Sequence, residues 1–191
     1  LGIWIWIVQA FPQLAQTLVE SLATAALRAG GGGDNFSLML DPSAIMARGL
    51  TTTEPFKNFI DSIPTVNVGD KIAYYLCYIA IVWMYIWMGF CLFYPVIEYY
   101  IFVTLGAVLM PFAINRHTRF LADKAINMVV SCGIKLMVLG FCLAIIQPVL
   151  SKIKFSNPTT WNEIAAIMLA VGSLGYLLYK APQAAMSMVH G

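Results

Sequence analysis

Apolar residues run almost without interruption from Ile72 to Ile114, 43 positions carrying one charge, Glu98, with Pro95 near the middle. A helical membrane crossing takes about 20 apolar residues at a rise of about 1.5 Å each, so the stretch is long enough for two. With Pro95 at the turn, the pattern predicts a helical hairpin with spans at 72–94 and 95–114. Tyr and Trp are frequent in the first, where they suit the headgroup layer. Two further apolar stretches, 125–150 and 161–179, predict a third and a fourth span. The last opens on Thr160-Trp161-Asn162-Glu163, which has the spacing of a capping box.

The first seventy residues follow a different pattern. Residues 1–28 read as helix with a kink at Pro12, and beyond it Leu14, Leu18 and Leu22 recur every fourth position. Gln13, Thr17, Glu20, Thr24 and Arg28 make a stripe on another face. Such a helix needs an apolar neighbour on one side and a wet one on the other, which makes the stripe a candidate lumen-facing element. Gly30 to Gly33 predict a flexible break. Asp41-Pro42-Ser43 then reads as a helix N-cap followed by proline in the first turn, starting a short helix to about Leu50. Pro55 should interrupt the chain. After it, Phe56, Phe59, Ile60 and Ile63 form a stripe opposite Lys57, Asn58 and Asp61, as in a helix lying in the membrane interface or packed on the bundle.

Between Asn115 and Asn127 the residues Arg116, Arg119, Asp123 and Asn127 share one helical face, with Arg119 and Asp123 at pairing distance. Phe120 and Leu121 lie on the other. An interfacial helix feeding the third span is expected. The fold class is therefore all-α: amphipathic and interfacial helices over residues 1–70, and over 71–191 a polytopic bundle of about four transmembrane helices.

Composition narrows the function. Charged residues make up 10% of the 191 residues and apolar residues 60%, far from the roughly one-quarter charged composition of a soluble domain. The net charge of +2 is too small for a nucleic-acid-binding surface, so any contact with nucleic acid would run through a passage. Cys77, Cys91, Cys132 and Cys142 form no CxxC pair, and His117 and His190 lie elsewhere. They read as small packing residues, and no metal or cofactor is expected. No nucleotide-binding motif and no nucleophile beside a base point to an enzyme. The chain begins at Leu1 without methionine, and Leu1 to Phe11 reads as the end of an apolar segment that starts upstream.

Two charges fall inside predicted spans, where a charged side chain costs at least a few kcal/mol. Glu98 and Lys135 must face protein, water or each other. Counted from Ile114 and Lys124, their depths are about 24 and 16 Å, a gap that the lysine stem nearly covers. The alternative is that Glu98 reaches headgroup water beside Pro95 while Lys135 snorkels or bonds a backbone carbonyl. Gly133, Gly140 and Ala144 predict close helix packing, partly between copies of the chain, and Ala170, Gly172, Ser173 and Gly175 cluster in the last span. For four crossings, Lys57, Lys71, Arg116, Arg119, Lys124 and Lys180 fall on one side and Lys152 and Lys154 on the other, which makes the first side cytoplasmic. There Arg116, Arg119 and Lys124 would meet anionic lipid or a partner's acidic surface.

The segment PFAINRHTRFLADKAINMVVSCGIKLMVLGF, Pro111 to Phe141, resembles the core signature of the TrbL-type conjugal transfer proteins, and DPSAIMARGL, Asp41 to Leu50, is similar to a motif ahead of their spans. With the order of apolar segments, the resemblance covers roughly 41–179. It implies a non-enzymatic, multi-pass subunit of the bacterial inner membrane, a channel or assembly platform of a type IV secretion machine serving DNA and protein transfer and pilus assembly. It also implies a homo-oligomeric ring of about five copies, with secretion ATPases, pilin and the translocated DNA or protein as partners beside the lipid bilayer. Family members usually extend beyond both ends of this sequence, so a hydrophobic core from a longer protein is expected. The competing class is a small-solute or ion transporter, which would need a polar midplane site between discontinuous helices.

Overall fold

The computed structural model describes residues 2–30, 41–64, 68–156 and 159–190. Five long helices account for most of them: α1 (Gly2–Ala29), α2 (Pro42–Ser62), α3 (Val68–Leu109), α4 (Arg119–Lys152) and α5 (Trp161–His190). A 3-10 segment, Met110–Ile114, and a turn join α3 to α4. Among the described residues, three segments are long and apolar enough to cross a membrane: Val68–Ile114, Arg119–Lys152 and Trp161–Ser187. The chain is an all-α polytopic membrane protein.

The hairpin expected at Pro95 is absent. α3 is one helix of 42 residues with Pro95 buried inside it, rising about 63 Å. Proline removes one backbone bond and breaks a helix where its neighbours can close a turn; around Pro95 the neighbours Phe93, Tyr94 and Val96 include no Gly, Asn, Asp or Ser. The reversal comes instead at the polar run Asn115-Arg116-His117-Thr118. There the Asn115 carbonyl accepts from the N–H groups of Thr118 and Arg119, both at 3.0 Å, and the Thr118 hydroxyl donates to the Phe112 carbonyl at 2.8 Å. Every one of the five helices carries an internal proline, Pro12, Pro55, Pro95, Pro148 and Pro182. Pro95 and Pro182 are buried, where packing against neighbouring helices holds the helix together across the missing bond, while Pro55 and Pro148 are exposed.

Pro55 likewise fails to interrupt α2. Ile45, Gly49, Thr53, Phe56 and Ile60 are buried at helical spacing along its whole length, while Pro55 and Thr51, whose carbonyl loses its partner, are exposed. The stripe lies on α3, so the helix packs on the bundle; Gly49 is pressed so close that a Cβ there would sit 2.5 Å from Tyr85 Cγ. Asp41 caps the helix as expected, its carboxylate accepting from Ser43 N at 3.1 Å and from the Ser43 hydroxyl. Of the predicted glycine break only Gly30 is described; Gly31, Gly32 and Gly33 lie outside the described residues.

Aromatic contacts lock one end of the molecule. Phe56 stacks on Phe155 at 4.9 Å and Tyr74 on Trp161 at 4.4 Å, while Phe59 meets Tyr74 edge-on at 5.7 Å. The Tyr75 hydroxyl donates to Asp61 Oδ1 at 2.8 Å. α2, the start of α3, the end of α4 and the start of α5 therefore share this end. Glu163 in the first turn of α5 accepts from Ser156 N at 2.8 Å and faces the Thr160 N–H, as the capping box requires.

α3 and α4 run antiparallel, α5 packs along both, and α1 packs mainly on α4 with a smaller interface to α3. Three close approaches fix the course of α1. Phe11 covers Gly106, where a Cβ would fall 2.7 Å from its ring; Val19 and Leu22 cover Gly133; and Gly30 abuts Ala144, whose Cβ would lie 2.5 Å from one built on the glycine. The small-residue face of α4 is thus filled by α1 of the same chain, at Gly133 and Ala144, rather than kept for another copy. Gly140 is buried in the same helix.

Three crossings also redraw the charge count. Lys57, Lys71, Lys152 and Lys154 now fall toward the aromatic end and Arg116, Arg119, Lys124 and Lys180 toward the other, four against four. The six-to-two asymmetry required an extra reversal at Pro95 and disappears with it.

Candidate functional site

The intramembrane charges meet. Lys135 Nζ lies 2.6 Å from Glu98 Oε1, the side chains 24% and 17% exposed. The depth gap expected from the sequence closes because α4 starts at Arg119, about 8 Å of helix earlier than a count from Lys124. Both residues then lie about 24 Å from the α3–α4 connection. Lys135 stands at the middle of α4, the point of that helix farthest from water at either end.

The pair borders a cavity of about 600 Å³ between α3 and α5, lined among others by Trp87, Cys91, Tyr94, Leu178, Pro182 and Gln183. Pro95 and Pro182 also line it. Each lacks the N–H that would bond the carbonyl four residues earlier, so the carbonyls of Cys91 and Leu178 have no helical partner. The cavity thus gathers one ion pair and the Gln183 amide within otherwise largely apolar and aromatic walls. Cys91 and Gln183 stood in the sequence without a signal; only the juxtaposition of two prolines on different helices brings them here.

The polar stripe of α1 is the second feature. Ala15, Val19, Ala23 and Ala26 are buried, while Gln13, Thr17 and Arg28 are exposed and Glu20 and Thr24 half-buried. Gln16 and Ser21, absent from the stripe expected from sequence, join it. Gln16 Nε2 donates to Glu20 Oε1 at 2.8 Å, an i, i+4 pair that the spacing could have revealed. The Thr17, Ser21 and Thr24 hydroxyls donate to carbonyls of the preceding turn at 2.6–2.9 Å, while the Gln16–Glu20 contact uses only one amide proton and one carboxylate oxygen. Between Phe11 on Gly106 and Gly30 on Ala144 the helix rises about 29 Å, close to the roughly 30 Å hydrocarbon thickness of a bilayer.

The basic cluster at the other end is exposed but differently built than expected. Arg116 sits in the turn, and only Arg119 and Lys124 are on α4. Arg116 therefore does not share a helical face with Arg119, Asp123 and Asn127, and no ion pair joins Arg119 to Asp123 among the described residues. Also among the described residues, no three His, Cys, Asp or Glu side chains converge on a point where a metal ion could sit.

The sequence model of the TrbL/VirB6 plasmid conjugal transfer protein family matches residues 1–181. No curated protein and no solved structure gave a match.

Proposed function

Because the chain belongs to the TrbL/VirB6 plasmid conjugal transfer family, we propose that it acts as a non-enzymatic channel or assembly-platform subunit in the bacterial inner membrane. In this reading several copies, about five in a closed ring, surround a common passage for DNA or protein substrate. The same assembly supports pilus construction and engages the secretion ATPases and pilin.

The observation that carries the reading is the α1 stripe. Gln13, Gln16, Thr17, Glu20 and Ser21 look away from an apolar core, in a helix that runs about one bilayer thickness between Phe11 and Gly30. Lipid is a poor neighbour for amide and charged groups at that depth. A water-filled passage between copies satisfies them, and a backing of α3 and α4 leaves the opposite side of the molecule for lipid. The apolar flank of α1, Leu14 and Leu18, is exposed beside the stripe and suits the contact with the next copy.

The test is to make the stripe apolar. Gln13→Leu, Thr17→Val and Thr24→Val together should preserve membrane insertion yet lower conjugal transfer by about tenfold or more, as expected when a wet wall becomes a dry one. Unchanged transfer with normal protein levels would remove α1 from the passage. A small-solute or ion pathway draws instead on the Glu98–Lys135 cavity, and would show as ion flux through the purified protein in liposomes without other secretion subunits.

A further inference from the structure

We propose that the cavity between α3 and α5 is a water-filled vestibule that hydrates the Glu98–Lys135 pair at membrane depth, on the other side of the α3–α4 core from the α1 stripe. The inference depends on the chain's place in a membrane and not on the passage proposed above.

Unsatisfied valences identify the occupant. Glu98 and Lys135 are joined by one contact, Nζ to Oε1, which leaves the second carboxylate oxygen and two ammonium protons to be matched. Gln183, on the same wall, adds an amide that also needs partners. In hydrocarbon no solvent partner exists for such unmatched groups. An acyl chain offers none of the missing partners. A helix from a neighbouring copy would arrive with its backbone already hydrogen-bonded to itself. Water supplies donors and acceptors together, and about 600 Å³ holds on the order of 20 molecules at roughly 30 Å³ each. Both members of the pair line this space and keep part of their side chains exposed, 24% and 17%. Tyr94, Tyr179 and Gln183 give the walls enough polarity to keep water in place.

Cys91 provides a native reporter, since its side chain is partly exposed and lines the cavity. The full chain, with Cys77, Cys132 and Cys142 changed to Ala, is placed in membrane vesicles opened to both sides. It is treated with a positively charged methanethiosulfonate or with apolar N-ethylmaleimide, and Lys154→Cys serves as an exposed control. The charged reagent should modify Cys91, since it travels only through water. Replacing both charges by apolar side chains, Glu98→Leu with Lys135→Met, should cut that rate by about tenfold or more by drying the cavity, whereas Lys135→Arg should leave it nearly unchanged. Modification of Cys91 in the native pair by N-ethylmaleimide alone means that lipid fills the cavity and overturns the proposal. A charged-reagent rate that survives the apolar double replacement overturns it as well, because the pair would then not be what holds the water.

Discussion

Glu98 and Lys135 stand out by residue type and position alone, because charge is so rare in this chain and so costly where they sit. Their 2.6 Å contact makes a quantitative prediction. Glu98→Gln or Lys135→Gln alone should destabilise the protein by about 3 kcal/mol, since each leaves its partner uncompensated. The double replacement should recover at least about 1 kcal/mol relative to the summed losses. Thermal unfolding of the four proteins in detergent measures both, and strictly additive losses would show that the pair contributes nothing as a pair. Glycines give a second contrast at this scale. Gly49→Ala drives a methyl into Tyr85 and should cost about 1–3 kcal/mol. Gly175→Ala meets nothing within 4 Å and should gain about 0.5–1 kcal/mol from helix propensity. Unfolding midpoints of the two variants decide it, and equal effects would mean that α2 does not lie on α3 at Gly49. The glycine itself was readable in the sequence, but its partner was not. Ile45, Gly49, Thr53, Phe56 and Ile60 form a periodic stripe in plain view, yet Pro55 in their midst argues for a break at the same place.

At the scale of the element, α3 shows what apolar length can and cannot say. The run from Ile72 to Ile114 correctly identifies helix that can lie in a membrane, but length alone does not distinguish two crossings from one very long helix. The cue that decides is local: Pro95 is flanked by Tyr94 and Val96, whereas Asn115 to Thr118 offers the polar groups that close a turn. Spin labels on the exposed positions Leu76 and Leu105 should be separated by about 43 Å in a continuous helix. A hairpin would bring them within about 20 Å, as for neighbouring antiparallel helices, and double electron–electron resonance separates these outcomes. Packing between elements was legible only in part. Gly133 and Ala144 announce a close neighbour, but a helix of the same chain and a helix of another copy leave the same mark in sequence. In the fold that neighbour is α1. The α1 stripe, by contrast, follows from spacing alone, because polar residues at helical period need water whatever the rest of the molecule does.

For the whole molecule, the tilt of the charge balance is lost once α3 is a single helix, and the end with Arg116, Arg119 and Lys124 no longer outnumbers the aromatic end in basic residues. Arg119→Cys, in a background without the four native cysteines, should react with a membrane-impermeant thiol reagent only after the membrane that holds the protein is opened; labelling in intact cells would place this end outside. The larger division is between faces. α1 and α5 pack on α3 and α4 without a sizeable interface of their own, so the polar stripe and the apolar outer side of α5, with Leu169 and Tyr176 exposed, are presented to different surroundings. Membership of a conjugal transfer family gives the stripe its proposed purpose: it faces the substrate. The most direct test places a photo-cross-linking amino acid at Thr17 or at Tyr176 in cells actively transferring DNA. Adducts with the transferred DNA or its protein escort at Thr17, and only lipid adducts at Tyr176, are predicted. Lipid adducts alone at Thr17, or substrate at Tyr176 instead, would contradict a passage lined by α1.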